Sequence, residues 1–273
     1  MTNNTKKAER AIVFYSSGIS SYCAAKQTIA KFGKQSTVLL FADTGIEDKD
    51  NYRFLEESAR ALQVPLVRVS NSKDSTVFDN WRSRRAIANN RMPFCSFDMK
   101  HKPCREWLKQ NASMDDLFVV GISWDEIHRL SAIENGWAPN KVWAPLTEPP
   151  YLDKAQMLDE AITDGIRPPR LYQYGFKHSN CGGGCVRGGQ AHWRHLLLKL
   201  PAVFAQWETE EKKMQEFLGR NDIAILKKTV NGESRPFPLS ELRAEVENSG
   251  QLDIFDWGGC GCFSIQDFDV PND

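Results

Sequence analysis

The sequence has no excess of either charge: Lys plus Arg and Asp plus Glu number 35 each in 273 residues. That balance excludes a dominant nucleic-acid footprint, leaving room only for a local basic patch. No apolar run approaches the roughly 18 residues of a membrane span, so no membrane partner is expected. Residues 1–10 are polar and the apolar stretch after them is short, which reads as a frayed tail and not as a secretory leader. Repeats and low-complexity tracts are absent. Also missing are G-x-x-x-x-G-K-[ST] and G-x-G-x-x-G, so neither the lysine phosphate loop nor the dinucleotide fingerprint applies. A disulfide scaffold is disfavoured by seven cysteines, an odd number in a chain of this length. They point to a reducing cytoplasm, where clustered cysteines serve as metal or redox sites. The length suits one large α/β domain or one domain with a substantial appendage.

What is present begins at residues 11–15, a short apolar strand. It runs into Ser16-Ser17-Gly18-Ile19-Ser20-Ser21, and a helical pattern follows from Tyr22. Strand, small-residue turn and helix aim backbone N–H groups and a positive helix end at an anion. Gly18 permits a turn that a Cβ would block, and the serine hydroxyls add donors. The same residues also suit an ordinary strand–helix turn. Residues 36–42 and 64–69 read as further strands around a helix at 48–62, which predicts a parallel sheet with ligands outside its carboxyl ends. Asp43 and Thr44 sit at such an end; Asp43 suits ribose, a metal near phosphate, or a helix cap. A basic helix at 76–90 presents Arg82, Arg84 and Arg85 either to solvent or as a lid over phosphates. A strand at 117–122 leads into Gly121 and on to Arg129, which is placed as a bidentate phosphate clamp. His128 beside it is a base or a loop hydrogen-bonder. Helices are expected at 153–163, at 190–218 with a break at Pro201, and at 238–248, with a hairpin turning at Asn231-Gly232.

Two glycine-rich turns carry cysteine pairs, Cys181 with Cys185 and Cys260 with Cys262. Four thiolates suit tetrahedral Zn²⁺ or an iron–sulfur cluster. A reducible disulfide or scattered buried thiols are the plainer readings. Zinc is preferred over [4Fe–4S], because each pair lies in a short local turn and no redox partner is evident.

The serine loop resembles the pyrophosphate loop of the adenine-nucleotide α-hydrolase, or PP-loop, superfamily, usually written S-G-G-x-D-S. Ser17 replaces a glycine and Ser20 stands where many members carry aspartate, which fits the phosphoadenosine-phosphosulfate reductase-like branch. Asp43-Thr44-Gly45 with Glu47, Asp50 and Tyr52 is similar to that branch's Asp-Thr-Gly segment. Cys95 through Lys100 to Pro103 and residues 170–178 resemble two more of its segments, so the likeness spans about residues 11–185. It implies a Rossmann-like parallel sheet with a mostly helical, cysteine-containing C-terminal region. The corresponding division is a tail at 1–10, a nucleotide-binding α/β domain at 11–175 and a C-terminal region at 176–273. Nucleotide binding would fall to Ser16, Ser17, Gly18, Ser20, Ser21, Asp43, Thr44 and Gly121, and charge neutralisation to Lys100 and Arg129. The likeness also implies ATP with Mg²⁺, an unidentified acceptor substrate, and Cys95 as a further metal-ligand candidate. Adenylation with pyrophosphate release is the leading function it implies, with sulfur transfer to the acceptor as an extension. Thiol-dependent reduction of phosphoadenosine phosphosulfate, and a metal-stabilised nucleotide-binding module without turnover, are the rivals. An oligomer is compatible with all three. Cys260-Gly261-Cys262-Phe263 lacks the glutamate and histidine that flank the reductases' catalytic cysteine.

Overall fold

A computed structural model describes residues 10–249. Strands β1 (Ala11–Phe14), β2 (Thr37–Asp43) and β3 (Leu66–Ser70) alternate with helices α1 (Ile19–Phe32) and α2 (Lys49–Leu62). Next come α3 (Val77–Arg84), the single turn α4 (Phe94–Ser96), a π turn at Phe97–His101, and α5 (Lys102–Asn111). Then follow β4 (Leu117–Val120), α6 (Leu130–Trp137) and β5 (Val142–Trp143). The five strands form one parallel sheet in the order β3-β2-β1-β4-β5. In its centre Val13 lies between Leu39 and Val119.

All four residues of β1 are at most 2% exposed, because helices cover both faces of a parallel sheet. The period of two sends Val13 and Leu39 to a core shared with Phe54 and Met157, and Ile12 and Leu40 to one shared with Phe118 and Trp137. Cys104 is buried in the second of these, as a packed apolar residue, and burial pushes its thiol up to about 12. The chain leaves β1 toward β2 on one side and later returns to β4 on the other. The order therefore reverses between β1 and β4, and the crevice outside their carboxyl ends is where such sheets bind ligands.

Helices α7 (Lys154–Thr163) and α8 (Arg170–Gln173) return to this edge of the sheet. Asp48, not Asp43, caps α2, accepting from Asp50 N at 2.8 Å, and Arg170 grips the same carboxylate at 2.9 and 2.7 Å. Beyond them α9 (Gln190–Lys199) and α10 (Pro201–Leu218) meet at Pro201, as the sequence predicts. A hairpin of β6 (Leu226–Val230) and β7 (Glu233–Phe237) turns at Asn231 and Gly232, both at positive φ, and precedes α11 (Leu239–Ser249). Trp81 of α3, Trp193 of α9, and Phe204 and Trp207 of α10 share one core, with Trp207 edge-on to Trp81 and Trp193 at 5.7 and 5.4 Å. That core draws on segments from both sides of residue 175.

The basic stretch at 76–90 is helical only as far as Arg84, since Arg85 takes a left-handed cap conformation. It does not form a lid. Arg84 makes a two-pronged contact with Asp98 at 2.7 Å on each side, and Arg82 pairs with Asp79 and Glu210. Among the described residues no helix is long and apolar enough to cross a membrane.

Candidate functional site

The loop after β1 departs from expectation in one respect. Gly18 has an ordinary extended backbone (φ −92°), and the left-handed position is Ser17 (φ 56°). A non-glycine residue there costs on the order of 1 kcal/mol or more and persists only where its surroundings hold it. Asn51 of α2 does so, donating from Nδ2 to Ser17 Oγ at 2.6 Å, while that hydroxyl donates to Ser16 O at 2.6 Å. Gly18 matters for space: a Cβ there would lie 3.2 Å from Tyr172 Oη. At Gly121, just past β4, a Cβ would lie 2.7 Å from Ser21 Cα, so glycine is what lets β4 and α1 approach.

Helix α1 begins without a side-chain cap and without an acidic residue in its first turn, so its positive end stays unneutralised. Ile19 N donates to Tyr172 Oη at 3.1 Å, Ser21 Oγ to Gly18 O at 2.8 Å, and Lys154 Nζ to Ser20 Oγ at 3.0 Å. Ser16, Gly18, Ser20, Ser21 and Gly121 line a cavity together with Lys100, Glu126, Arg129, Tyr172 and Ser179. Lys100 arrives on the π turn, 6% exposed; such turns recur at functional sites. Arg129 arrives on a 3₁₀ turn at Trp124–Arg129 and pairs with Glu126 at 2.7 Å. Burial raises the Glu126 carboxyl above its ordinary range, and Arg129 opposes that rise. The Ser179 hydroxyl is buried and has no hydrogen-bond partner among the described residues.

A second, smaller cavity of about 20 Å³ lies on the other side of Lys100, lined also by Thr44, Cys95, Cys181, Cys185, Arg187 and Trp207. The turn at Asn180–Gly183 shapes it, with Cys181, Gly182 and Gly183 all at positive φ. Glu47 fastens this turn to the loop after β2: its Oε2 accepts from Cys181 N at 2.6 Å and its Oε1 from Thr44 Oγ1 at 2.9 Å. A Cβ at Gly182 would meet Ile46 O at 2.8 Å, and one at Gly184 would overlap the Trp207 ring. His192 Nε2 lies 2.7 Å from Gly183 O, and burial lowers that imidazole to about 4, so it is neutral and donates.

Of the residues singled out in the sequence, Ser16, Gly18, Ser20, Ser21, Lys100, Gly121 and Arg129 meet at the first cavity. Ser17 is folded inside the loop. Asp43 accepts from Gly45 N at 2.9 Å and Tyr52 Oη at 2.6 Å, closing its own turn. Thr44 borders the second cavity, and His128 is exposed on the 3₁₀ turn, outside the lining of the first. Cys95, Cys181 and Cys185 share the second cavity, whereas Cys260 and Cys262 lie outside the described residues. Among the described residues no three His, Cys, Asp or Glu side chains are grouped closely enough to hold a metal. Lys154, Tyr172 and Ser179 gave no local signal of a role at the loop, since their distance in sequence hides it.

The strand order and its crevice define a Rossmann-like α/β protein with a cationic cavity at the switch point. No protein-family model matches the chain, and no curated protein matches it. Solved structures similar to it include the phosphoadenylyl-sulfate reductase of Candida auris in a phosphate complex, with 15% identity and TM-score 0.46 over 63% of this chain and 80% of that one. Another is the NH3-dependent NAD synthetase of Campylobacter jejuni in complex with nitrate, with 13% identity and TM-score 0.42 over 79% of this chain and 88% of that one. The Rossmann-like architecture follows from strand order and register.

Proposed function

We propose that the first cavity holds the phosphate chain of ATP and that the protein adenylates an acceptor with release of pyrophosphate. The observation that carries this reading is the convergence of serine hydroxyls, an uncapped helix start, Lys100 and Arg129 on one cavity. Attack by an acceptor nucleophile on the α-phosphorus breaks its bond to the bridging oxygen, and the leaving pyrophosphate gains negative charge. Preorganised cations at that position stabilise the transition state more than the ground state. Glu126 supplies a carboxylate at the cavity wall, the kind of ligand Mg²⁺ takes together with phosphate oxygens. Mg²⁺ bound there would neutralise pyrophosphate charge.

Cys95, Cys181 and Cys185 border the second cavity but are not grouped closely enough to hold a metal by themselves, so a thiolate site would also need Cys260 and Cys262, which lie outside the described residues. Zinc remains the preferred ion, because each cysteine pair lies in a short local turn. Its chemistry would be structural, tying the C-terminal segment down.

Incubation with ATP, Mg²⁺ and an acceptor is expected to release pyrophosphate and leave the adenylyl group on the acceptor, with free AMP formed where water takes the acceptor's place. Gly18→Val, which crowds the loop against Tyr172, is expected to remove ATP binding in a folded protein. Unchanged calorimetric affinity in that variant overturns the nucleotide assignment. Sulfite release from phosphoadenosine phosphosulfate, without pyrophosphate release from ATP, would favour the reductase reading. Elemental analysis of anaerobically purified protein separates zinc from iron with sulfide, and protein free of both metals would discard the thiolate site.

A further inference from the structure

Lys154 stands where three physical rules disfavour an ammonium. It is the first residue of α7, at the positive end of that helix dipole. It is half-buried, and desolvation holds its pKa below the usual lysine value against the opposing pull of Glu126 and Asp125. Its Nζ donates to a neutral hydroxyl, Ser20 Oγ, at 3.0 Å, and no carboxylate of the described residues lies within 4.0 Å. The nearby face of Tyr172, with its centroid 5.8 Å away, gives modest relief. The position is nevertheless well defined, because Asp153 and Gln156 form a reciprocal capping box that fixes the start of α7. A local rule broken with only partial compensation inside the free protein is what functional sites show.

Ser20 is a wall of the first cavity, so the ammonium sits at the edge of the phosphate cradle. We infer that Lys154 is a direct ligand of the bound phosphate chain and makes the cradle select a polyphosphate over a sulfate-sized dianion. The inference rests on the cradle proposed above. Arg129 already spends part of its charge on Glu126, so Lys100 and the α1 start suffice for a dianion. A third cation is matched only by a ligand carrying more charge, such as pyrophosphate or the chain of a nucleoside triphosphate.

The test is calorimetric titration of inorganic pyrophosphate and of sulfate into the wild type, Lys154→Met and Lys154→Arg, with thermal unfolding of each protein free of ligand. For the Met variant, pyrophosphate affinity is expected to fall about tenfold or more, the loss of one charge-assisted contact. Sulfate affinity should stay within about twofold, and the Arg variant should keep most of the pyrophosphate affinity. The Tm of the ligand-free Met variant is expected to rise, because a half-buried charge has been removed. A fall in Tm with unchanged pyrophosphate affinity would assign Lys154 to holding Ser20 and overturn the inference. Equal losses for both anions would overturn the selectivity. A wild type that binds neither pyrophosphate nor ATP removes the cradle itself, whereas wild-type binding retained in the Met variant removes Lys154 alone.

Discussion

The two cavities that share Lys100 are built by opposite means. The first carries Lys100 and Arg129 among mixed polar and apolar walls, and four of its residues come from one six-residue loop. The second is small and mostly apolar, and it draws on β2's exit, α3, the turns before α5, the glycine turn with the residues after it, and α10. That loop of the first cavity gathers hydroxyls and helix amides in one place, and Asn51, Tyr172 and Lys154 from distant segments fasten it. A cavity walled by Thr44, Cys95, Cys181 and Trp207 exists only once distant segments have packed. Damage to α10 is expected to disturb the second cavity, through Trp207, more than the first, which takes only His178, Ser179 and Asn180 from beyond residue 175.

The strongest test of that separation is the shared wall. Replacing Lys100 with Ala should lower ATP turnover roughly 10²-fold or more if the ammonium stabilises charge on the leaving pyrophosphate. Steady-state pyrophosphate release at saturating ATP measures it. Wild-type turnover would reduce Lys100 to a partition between two cavities.

A smaller effect is expected at Glu211, one turn beyond Trp207 on α10. Its buried carboxylate accepts from Ile225 N at 2.8 Å and Leu239 N at 2.7 Å, pinning the hairpin and α11. Glu211→Ala leaves both amides unpaired and should cost about 2 kcal/mol in urea unfolding. ATP affinity should change little, and an equal loss of both would merge the two regions into one. Burial raises this carboxyl from 4.5 to about 7, with the two amides pulling the other way. Across that window the folded protein retains a proton that the unfolded chain releases. Stability conferred by the raised value is therefore full below about pH 4.5 and lost as pH rises toward 7. Glu211→Gln, which cannot titrate, should remove that slope.

The smallest effect concerns the link between the regions. Glu47→Ala frees Cys181 N and Thr44 Oγ1 and should cost about 1 kcal/mol of stability. Faster hydrogen exchange at the glycine turn is the local readout. A loss of ATP affinity beyond about threefold, or about 0.7 kcal/mol, would mean that the turn supports the serine loop as well.

The β-strand and helix pattern was legible because periods of 2 and 3.6 are written in adjacent residues. So were the break at Pro201 and the Asn231-Gly232 turn, which depend on one or two residues' own dihedrals. The serine loop was legible as a motif but not in its detail. The left-handed position passed to Ser17 because Asn51, 34 residues away, holds its hydroxyl. The lid, the sharper of the two readings of Arg82, Arg84 and Arg85, did not form: Arg82 and Arg84 pair with Asp79, Glu210 and Asp98, and Arg85 lies over the Phe217 ring. Asp43 carried a plausible ligand role in sequence, yet Tyr52 and Gly45 occupy one of its oxygens.

By itself, then, the sequence determined a parallel α/β sheet, a hydroxyl-rich loop at its first strand end, and glycine-flanked thiols. Each is a property of contiguous residues, set by local sterics and by hydrogen-bonding groups in fixed order. Tertiary structure alone decided that Lys100 divides two cavities, that Glu47 joins the cysteine turn to the loop after β2, and that Lys154 reaches Ser20. The last two contacts each span 134 residues. Nothing local encodes them, because they follow from which helix faces bury their apolar area against the sheet and from the backbone directions that burial leaves.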